Sequence, residues 1–270
     1  MNFESEKTSV FEVNNINFTY VNKAIGIKDL SLKMNTGEAI SILGANGSGK
    51  STLLKILDAL YFPQKGEVKF FGKLLTEEIL RDQEFSKEFR KRVGLVFQDP
   101  DVQLFLPTVK DEIAFAPLQM GLSKEEVKAK VDEAVKNLGI ERLVDRAPYH
   151  LSEGEKKKVS LASILTLDPD IWLLDEPTAS LDPKTQSWVI DFLLSLKEQK
   201  KTIIIATHDL EIAYVVAQKC FVLGQNHTLL KEADIDEILA DKKLLLEANL
   251  IHAHRHIHDG IVHGHEHRHF

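Results

Sequence analysis

Residues 44–52 read GANGSGKST, three glycines set among one lysine and three hydroxyl side chains. Gly44, Gly49, Lys50 and Ser51 satisfy the spacing G-x-x-x-x-G-K-[ST]. Glycines let the backbone N–H groups of a loop wrap phosphate oxygens, and the helix N-terminus that follows adds dipole charge favourable to an anion. In such a loop the lysine reaches the β- and γ-phosphates and the next hydroxyl ligates Mg2+. The candidate contacts to a nucleoside triphosphate are therefore Gly44, Asn46, Gly47, Gly49, Lys50, Ser51 and Thr52, with Ser51 also on the metal.

Further chemistry-bearing residues stand at the ends of apolar runs. In IWLLDEP, 171–177, Asp175 and Glu176 directly follow four apolar residues. Carboxylates at the C-terminal end of a buried strand point into the ligand crevice of an α/β sheet. Asp175 is the candidate for the Mg2+ shell. Glu176, one residue on and expected on the opposite side of the pleat, is the candidate to polarise an attacking water. His208 closes the run IIIATH, where beside a γ-phosphate it would donate a hydrogen bond and orient that water. Gln98 follows VGLVF; taken alone, it reads as a solvated loop glutamine.

Positioning these groups takes strands and helices in alternation. VFEVNNINFTY (10–20) alternates apolar and polar and reads as a strand; EAISILG (38–44), EVKFFG (67–72), RVGLVF (92–97), IWLLDEP and KTIIIATHD (201–209) read as further strands. KSTLLKILDAL (50–60) has helical spacing, so the phosphate loop lies between a buried strand and an amphipathic helix. SKEEVKAKVDEAVKNLG (123–139) opens on a capping box, Ser123 to Glu126, and closes on glycine. PKTQSWVIDFLLSLKEQ (183–199) starts with a first-turn proline. The pattern is an α/β core with a mostly helical insertion at about 99–165.

The totals restrict the classes. A chain of 270 residues with 43% hydrophobic content can bury a large core. Net charge is −7, which argues against a nucleic-acid partner. The lone Cys220 forms no internal disulfide, fits a reducing cytosolic setting, and reads as a small buried hydrophobe. The polar, acidic start MNFESEKTSV is unlike a signal peptide, and no apolar run approaches the roughly 18 residues that span a membrane. Work at a membrane would then be done from its side.

LSEGEKKKVSLASIL (151–165) places Ser152 ahead of Glu153 and Glu155, which suit the positive end of a helix. It reads as a helix start that presents Ser152 and the Gly154 backbone outward. Taken in order, the motifs resemble the nucleotide-binding subunit of ATP-binding-cassette (ABC) transporters, over roughly residues 10–225. Tyr20 matches the aromatic residue that stacks on adenine, GANGSGKST the Walker A loop, and Gln98 the Q-loop glutamine. LSEGE matches the LSGGQ signature, IWLLDE the Walker B strand with its catalytic glutamate, SLD (180–182, with Asp182) the D-loop, and His208 the switch histidine.

The resemblance implies a P-loop NTPase cassette with an antiparallel β-subdomain and an inserted helical subdomain. A C-terminal helical extension at 226–250 and a histidine-rich tail at 251–270 would follow. It implies ATP hydrolysis with Mg2+, with Glu176, His208 and Gln98 catalytic and Ser51, Gln98 and Asp175 around the metal. It also implies a dimer, homo- or heteromeric, in which Ser152 and Gly154 meet a γ-phosphate bound on the other subunit. Membrane-spanning partners would hold the protein peripherally on the cytoplasmic face of the membrane. Two signature residues depart from the family: Glu153 replaces a glycine and Glu155 a glutamine. A negative charge at 153 weakens closure on ATP unless it points toward Lys156, Lys157 or solvent.

VFQDPDVQLFLPTVKDEIAFAPLQMGL (96–122) is most similar to the energy-coupling-factor ATPases, especially those of cobalt and nickel importers. Gln103, Leu104 and Phe105 are candidate contacts to a membrane partner, with a local core plug as the competing account. The tail holds His252, His254, His256, His258, His263, His265, His267 and His269, each quartet with period two. In an extended strand that period shares one face, and imidazole suits Zn2+, Cu2+ and Ni2+. A metal buffer or sensor for Ni2+ or Co2+ is the expectation, beside a disordered tail with incidental affinity. The leading function is the ATPase of a cobalt or nickel importer, and a vitamin importer is the alternative. A P-loop metallochaperone GTPase would need an Asn-Lys-x-Asp guanine reader, whereas Asn22-Lys23 precedes the loop and lacks the aspartate. A cassette protein of translation or DNA repair would carry a second cassette or a coiled-coil insert.

Overall fold

Strand β1 (Ser9–Thr19) buries Val10, Phe11, Val13, Ile16 and Phe18 and pairs antiparallel with β2 (Ile25–Asn35). A computed structural model describes residues 8–258 and 261–268. The chain runs on through β3 (Ala39–Leu43), α1 (Lys50–Leu57), β4 (Lys65–Phe70), β5 (Lys73–Leu74), α2 (Gln83–Arg92) and β6 (Val93–Val96). Four helices follow, α3 (Pro100–Gln103), α4 (Val109–Gln119), α5 (Lys124–Leu138) and α6 (Glu153–Leu165). Then come β7 (Ile171–Asp175), α7 (Pro183–Glu198), β8 (Thr202–Thr207), α8 (Leu210–Val216), β9 (Lys219–Leu223) and β10 (Leu229–Asp234). The chain closes with α9 (Ile235–Ala240), α10 (Lys242–Glu247), β11 (Ile251–His258) and β12 (Ile261–Arg268).

The main sheet has the order β10-β9-β3-β8-β7-β6, parallel throughout except for β10. Its central strands AISIL, IWLLD and TIIIAT are buried at every position, which explains their unbroken apolar runs. A second, antiparallel sheet has the order β2-β1-β4-β5. The helices α3 to α6 occupy 100–165, where the sequence pattern places a helical insertion, and the apolar faces of α4, α5 and α6 join β7 and α7 in one core. The C-terminal ends of β3, β7 and β8 lie side by side, so the phosphate loop, Asp175-Glu176 and His208 emerge on one edge.

Local signals act as read for α5, where Ser123 and Glu126 form the capping box and Gly139 the left-handed stop at φ 62°. Three segments differ from the sequence reading. Helix α1 ends at Leu57 instead of 60, because Ala59 turns left-handed at φ 54°. Arg90 of α2 ties down that turn, donating to the Asp58 carbonyl at 2.8 Å and its carboxylate at 3.1 Å. Burial nonetheless pushes the Asp58 carboxyl up to about 7. The stretch expected as a helical extension begins with β10, which lengthens the main sheet before α9 and α10 form. In the tail β11 and β12 pair as an antiparallel hairpin, with register His252–His267, His254–His265 and His256–His263. His269 lies outside the described residues.

Candidate functional site

The loop after β3 packs tightly on itself and against β2. A Cβ on Gly44 would sit 2.5 Å from Ser48 Oγ, and one on Gly49, at φ 107°, would sit 2.4 Å from the Gly26 carbonyl oxygen. Only glycine fits at either place. Asn46 and Gly47 form the exposed tip, and Gly49 caps α1. Lys50, 5% exposed, donates to the carbonyls of Gly44 at 2.9 Å and Ala45 at 3.3 Å. Its ammonium also lies 3.2 Å from Glu176 Oε1. Ser51 Oγ donates to Asp175 Oδ1 at 2.8 Å, so helix α1 and strand β7 meet through the two residues expected at the metal.

Glu176 does not follow the pleat. Strand β7 stops at Asp175, and Glu176 is left-handed at φ 42° while its N–H still donates to Ala206 O at 2.8 Å. A non-glycine residue held there stores about 1–3 kcal/mol of strain, which the packing around it must over-determine. The turn aims Glu176 at Lys50, Thr207 and His208, on the phosphate-loop side rather than the opposite face. Thr207 Oγ1 donates to its Oε2 at 3.0 Å, and His208 Nδ1 lies 2.9 Å from its Oε1. Asp175 stays near the loop as well; burial pushes its carboxyl above the ordinary range, Ser51 pulls it back, and the Glu176 charge raises it again.

Asn46, Gln98, Glu176 and His208 line one cavity of about 360 Å³, together with Ser180 and Gln186. Gln98 is exposed there, just beyond the end of β6. Oxygen donors in a small shell are what Mg2+ requires, and the Ser51 hydroxyl, the Asp175 carboxylate and the Gln98 amide supply that chemistry. The donor set fits the metal that the loop implies. Bound there with a triphosphate, Mg2+ would neutralise phosphate charge and hold Asp175 ionised.

Ser152, Gly154 and Asp182 come together elsewhere, in a cavity of about 500 Å³ that shares Ser180 with the first. Ser152 caps α6 in a reciprocal box: its N–H donates to Glu155 Oε2 at 3.0 Å, and its Oγ accepts from the Glu155 N–H at 3.4 Å. Glutamate serves the third helical position as well as glutamine does, which accounts for the departure at 155. Glu153 turns to Lys156 at 3.1 Å, and Lys156 also reaches Asp101 at 2.8 Å, so the extra charge is matched on its own helix. Gly154 faces Thr185 of α7; a Cβ would meet Thr185 Oγ1 at 2.9 Å. Asp182 caps α7, accepting from the Lys184 N–H at 3.0 Å and from Thr185 Oγ1 at 2.6 Å.

Tyr20 lies apart from both groups but bonds into the loop, its OH 2.6 Å from Thr52 Oγ1. It meets Phe18 and Tyr61 edge-on, with centroids at 5.1 and 5.9 Å. The candidate docking residues split. Phe105 is 65% exposed and meets Phe115 edge-on, whereas Leu104 is 8% exposed and belongs to the core. Gln103 turns inward, donating to Ser160 O at 2.9 Å and Ser163 Oγ at 3.0 Å. An outward surface for a partner is thus left to Phe105, with exposed Val102 and Leu118. The buried carboxylate of Glu112 accepts the Leu106 N–H and fixes this loop.

Three residues, Lys157, Glu155 and Gln103, take structural roles that the sequence reading did not assign them. Lys157 is 1% exposed and donates to the carbonyls of Phe97 at 3.0 Å and Gln98 at 2.9 Å. Its only sequence signal is a lysine at a core-facing helix position. The Ser152-to-Glu155 spacing already spells a capping box, and Gln103 carried no inward signal. Cys220 is fully buried, as its hydrophobic reading expects, and burial pushes its thiol up to about 12.

Among known proteins, residues 27–179 match the family model described as ABC transporter. A nickel import ATP-binding protein of Rhodobacter capsulatus is 42% identical, covering 90% of this chain and 96% of its own. An energy-coupling factor transporter ATP-binding protein of Methanocaldococcus jannaschii is 42% identical over 89% of this chain and 85% of its own. Among solved structures, cbiO1 of Clostridium perfringens, part of the ABC transporter complex cbiONQ, superposes with a TM-score of 0.74 at 33% identity. The match covers 90% of this chain and 96% of that one.

Proposed function

As the chain belongs to the ABC transporter family, whose ATPases couple ATP hydrolysis to transport, we propose that it powers a nickel or cobalt importer. One observation carries the ATPase chemistry: Lys50, Glu176 and His208 converge at the C-terminal ends of three neighbouring strands, beside Ser51 and Asp175. Lys50 exchanges its carbonyl and Glu176 contacts for phosphate oxygens. Glu176, released, accepts a proton from the attacking water, and His208 holds both in line. Gly44, Asn46, Gly47, Gly49 and Thr52 cradle the phosphates, and Tyr20 supports the base.

Ser152, Gly154 and Asp182 line a cavity other than that of Glu176, which supports a second ATPase subunit, identical or related, supplying the phosphate they meet. Phe105 and its neighbours would seat a membrane-embedded partner. Among the described residues no helix is long and apolar enough to cross a membrane, in keeping with a peripheral place on the cytoplasmic face. The metal cargo rests on the tail and on the nickel-import relative. Ni2+ or Co2+ binding by the tail rests on its eight histidines and their period of two. Its hairpin register sets three histidine pairs opposite each other. The 42% identical energy-coupling-factor relative keeps a vitamin importer as the second reading.

Cells carrying the native chain should accumulate more nickel or cobalt than cells carrying Glu176→Gln, measured by mass spectrometry in the host that supplies the partners. A fall in one metal names the cargo; no change in either moves the cargo to a vitamin. Truncation after Ile251, which packs in the core, should leave ATPase activity intact and abolish Ni2+ or Co2+ binding by calorimetry. Binding by the full chain should fade below about pH 6, as imidazoles protonate. Unchanged metal stoichiometry in the truncated chain would remove the tail from the reading.

A further inference from the structure

Helix α6 is stitched to the segment 97–103 along one face. Lys156 reaches Asp101 at 2.8 Å, Lys157 the carbonyls of Phe97 and Gln98, and Gln103 the carbonyl of Ser160 and the hydroxyl of Ser163. Positions 156, 160 and 163 recur at helical spacing, with 157 beside them, so a single surface of α6 makes every tie. Strand β6 stops at Val96 and is the outer strand of its sheet, so the Phe97 and Gln98 carbonyls have no ladder partner there. Lys157 supplies one. An ammonium in so buried a place costs desolvation free energy that an apolar side chain would not, and its return is hydrogen bonds to those two oxygens.

We propose that Lys157 is a positioning residue for ATP hydrolysis: it fixes the Gln98 backbone to the helix that starts at Ser152, so that Gln98 enters the nucleotide site only in step with that helix. The inference rests on the ATPase reading of the site and on Gln98 acting there. Lys157 touches neither nucleotide nor metal; it acts through Gln98. Lys157 thereby ties the cavity at Glu176, which Gln98 lines, to the helix that carries the cavity at Ser152.

The test is a double-mutant cycle on the full-length chain with Lys157→Met and Gln98→Ala, reading kcat, ATP affinity and the Mg2+ concentration for half-maximal rate. Lys157→Met should lower kcat about tenfold or more with ATP affinity unchanged, the scale of lost hydrogen bonds to a charged group. It should raise the Mg2+ requirement, and combining it with Gln98→Ala should add no further loss. Lys157→Gln, which keeps an N–H donor, should recover part of the rate; it also serves if the Met variant does not fold, as judged by its melting curve. Fully additive losses, or a native kcat in Lys157→Met, overturn the proposal. A native rate in Gln98→Ala overturns the role of Gln98 itself and, with it, action through that residue, while ATP binding and hydrolysis by the native chain still stand.

Discussion

Glu176→Gln binds ATP at least as tightly as the native chain and hydrolyses it about a hundredfold more slowly or worse, the range that loss of a general base produces. Glu176 is 4% exposed and held by Lys50 at 3.2 Å, His208 at 2.9 Å and Thr207 at 3.0 Å. An amide of the same shape can keep the Thr207 contact but cannot take a proton from water. It also removes the anion that now occupies Lys50, so the ammonium meets phosphate without a competitor. Affinity measured with a fluorescent ATP analogue, phosphate release, and the dimer fraction on a sizing column with ATP would check all three consequences. The stalled variant should accumulate as a closed dimer. Native turnover would disprove the assignment of Glu176.

Lys50→Ala weakens ATP binding about tenfold to a hundredfold, the worth of charge-assisted hydrogen bonds, and it also destabilises the fold. The second effect follows from burial: Lys50 and Glu176 are both nearly inaccessible, and removing one partner leaves a buried charge behind. Breaking such a pair costs about 3 kcal/mol or more. The two losses separate in the double variant Lys50→Ala/Glu176→Gln. Its melting temperature should recover toward native, because no unpaired carboxylate remains, while its ATP affinity should stay low. Unchanged nucleotide binding in Lys50→Ala would remove the phosphate-loop assignment.

The phosphate loop, the buried strands and the residues at their ends are legible in the sequence because each is local. A glycine pattern, an apolar run and the polar residue that stops it are all read within ten positions. What escapes is tertiary. The expectation for Glu176 follows strict alternation along a strand, and fails because β7 releases the chain one residue earlier into a left-handed turn. Gln103 and Leu104 read as docking residues from the resemblance of their segment to energy-coupling-factor ATPases, yet α6 provides a partner for the amide and the core takes the leucine. β2 escapes because IGIKDLSLKMN carries charges on its open face, and β10 because a single edge strand pairs on one side only. The charge at Glu153 is the converse case: three ways for it to be harmless are open from sequence, and the Lys156 contact chooses among them.

The buried thiol of Cys220 has an experimental consequence. It is fully shielded by β9 and its neighbours, and with its proton held up to about 12 it offers almost no thiolate to an electrophile. The folded chain therefore presents a silent background to maleimide chemistry. A single cysteine introduced at an exposed site such as Tyr149, three residues before Ser152, would carry the only reactive label among the described residues. Pairs of such labels on two subunits would let their approach and separation be followed by spin or fluorescence distance measurements, without first engineering a cysteine-free protein.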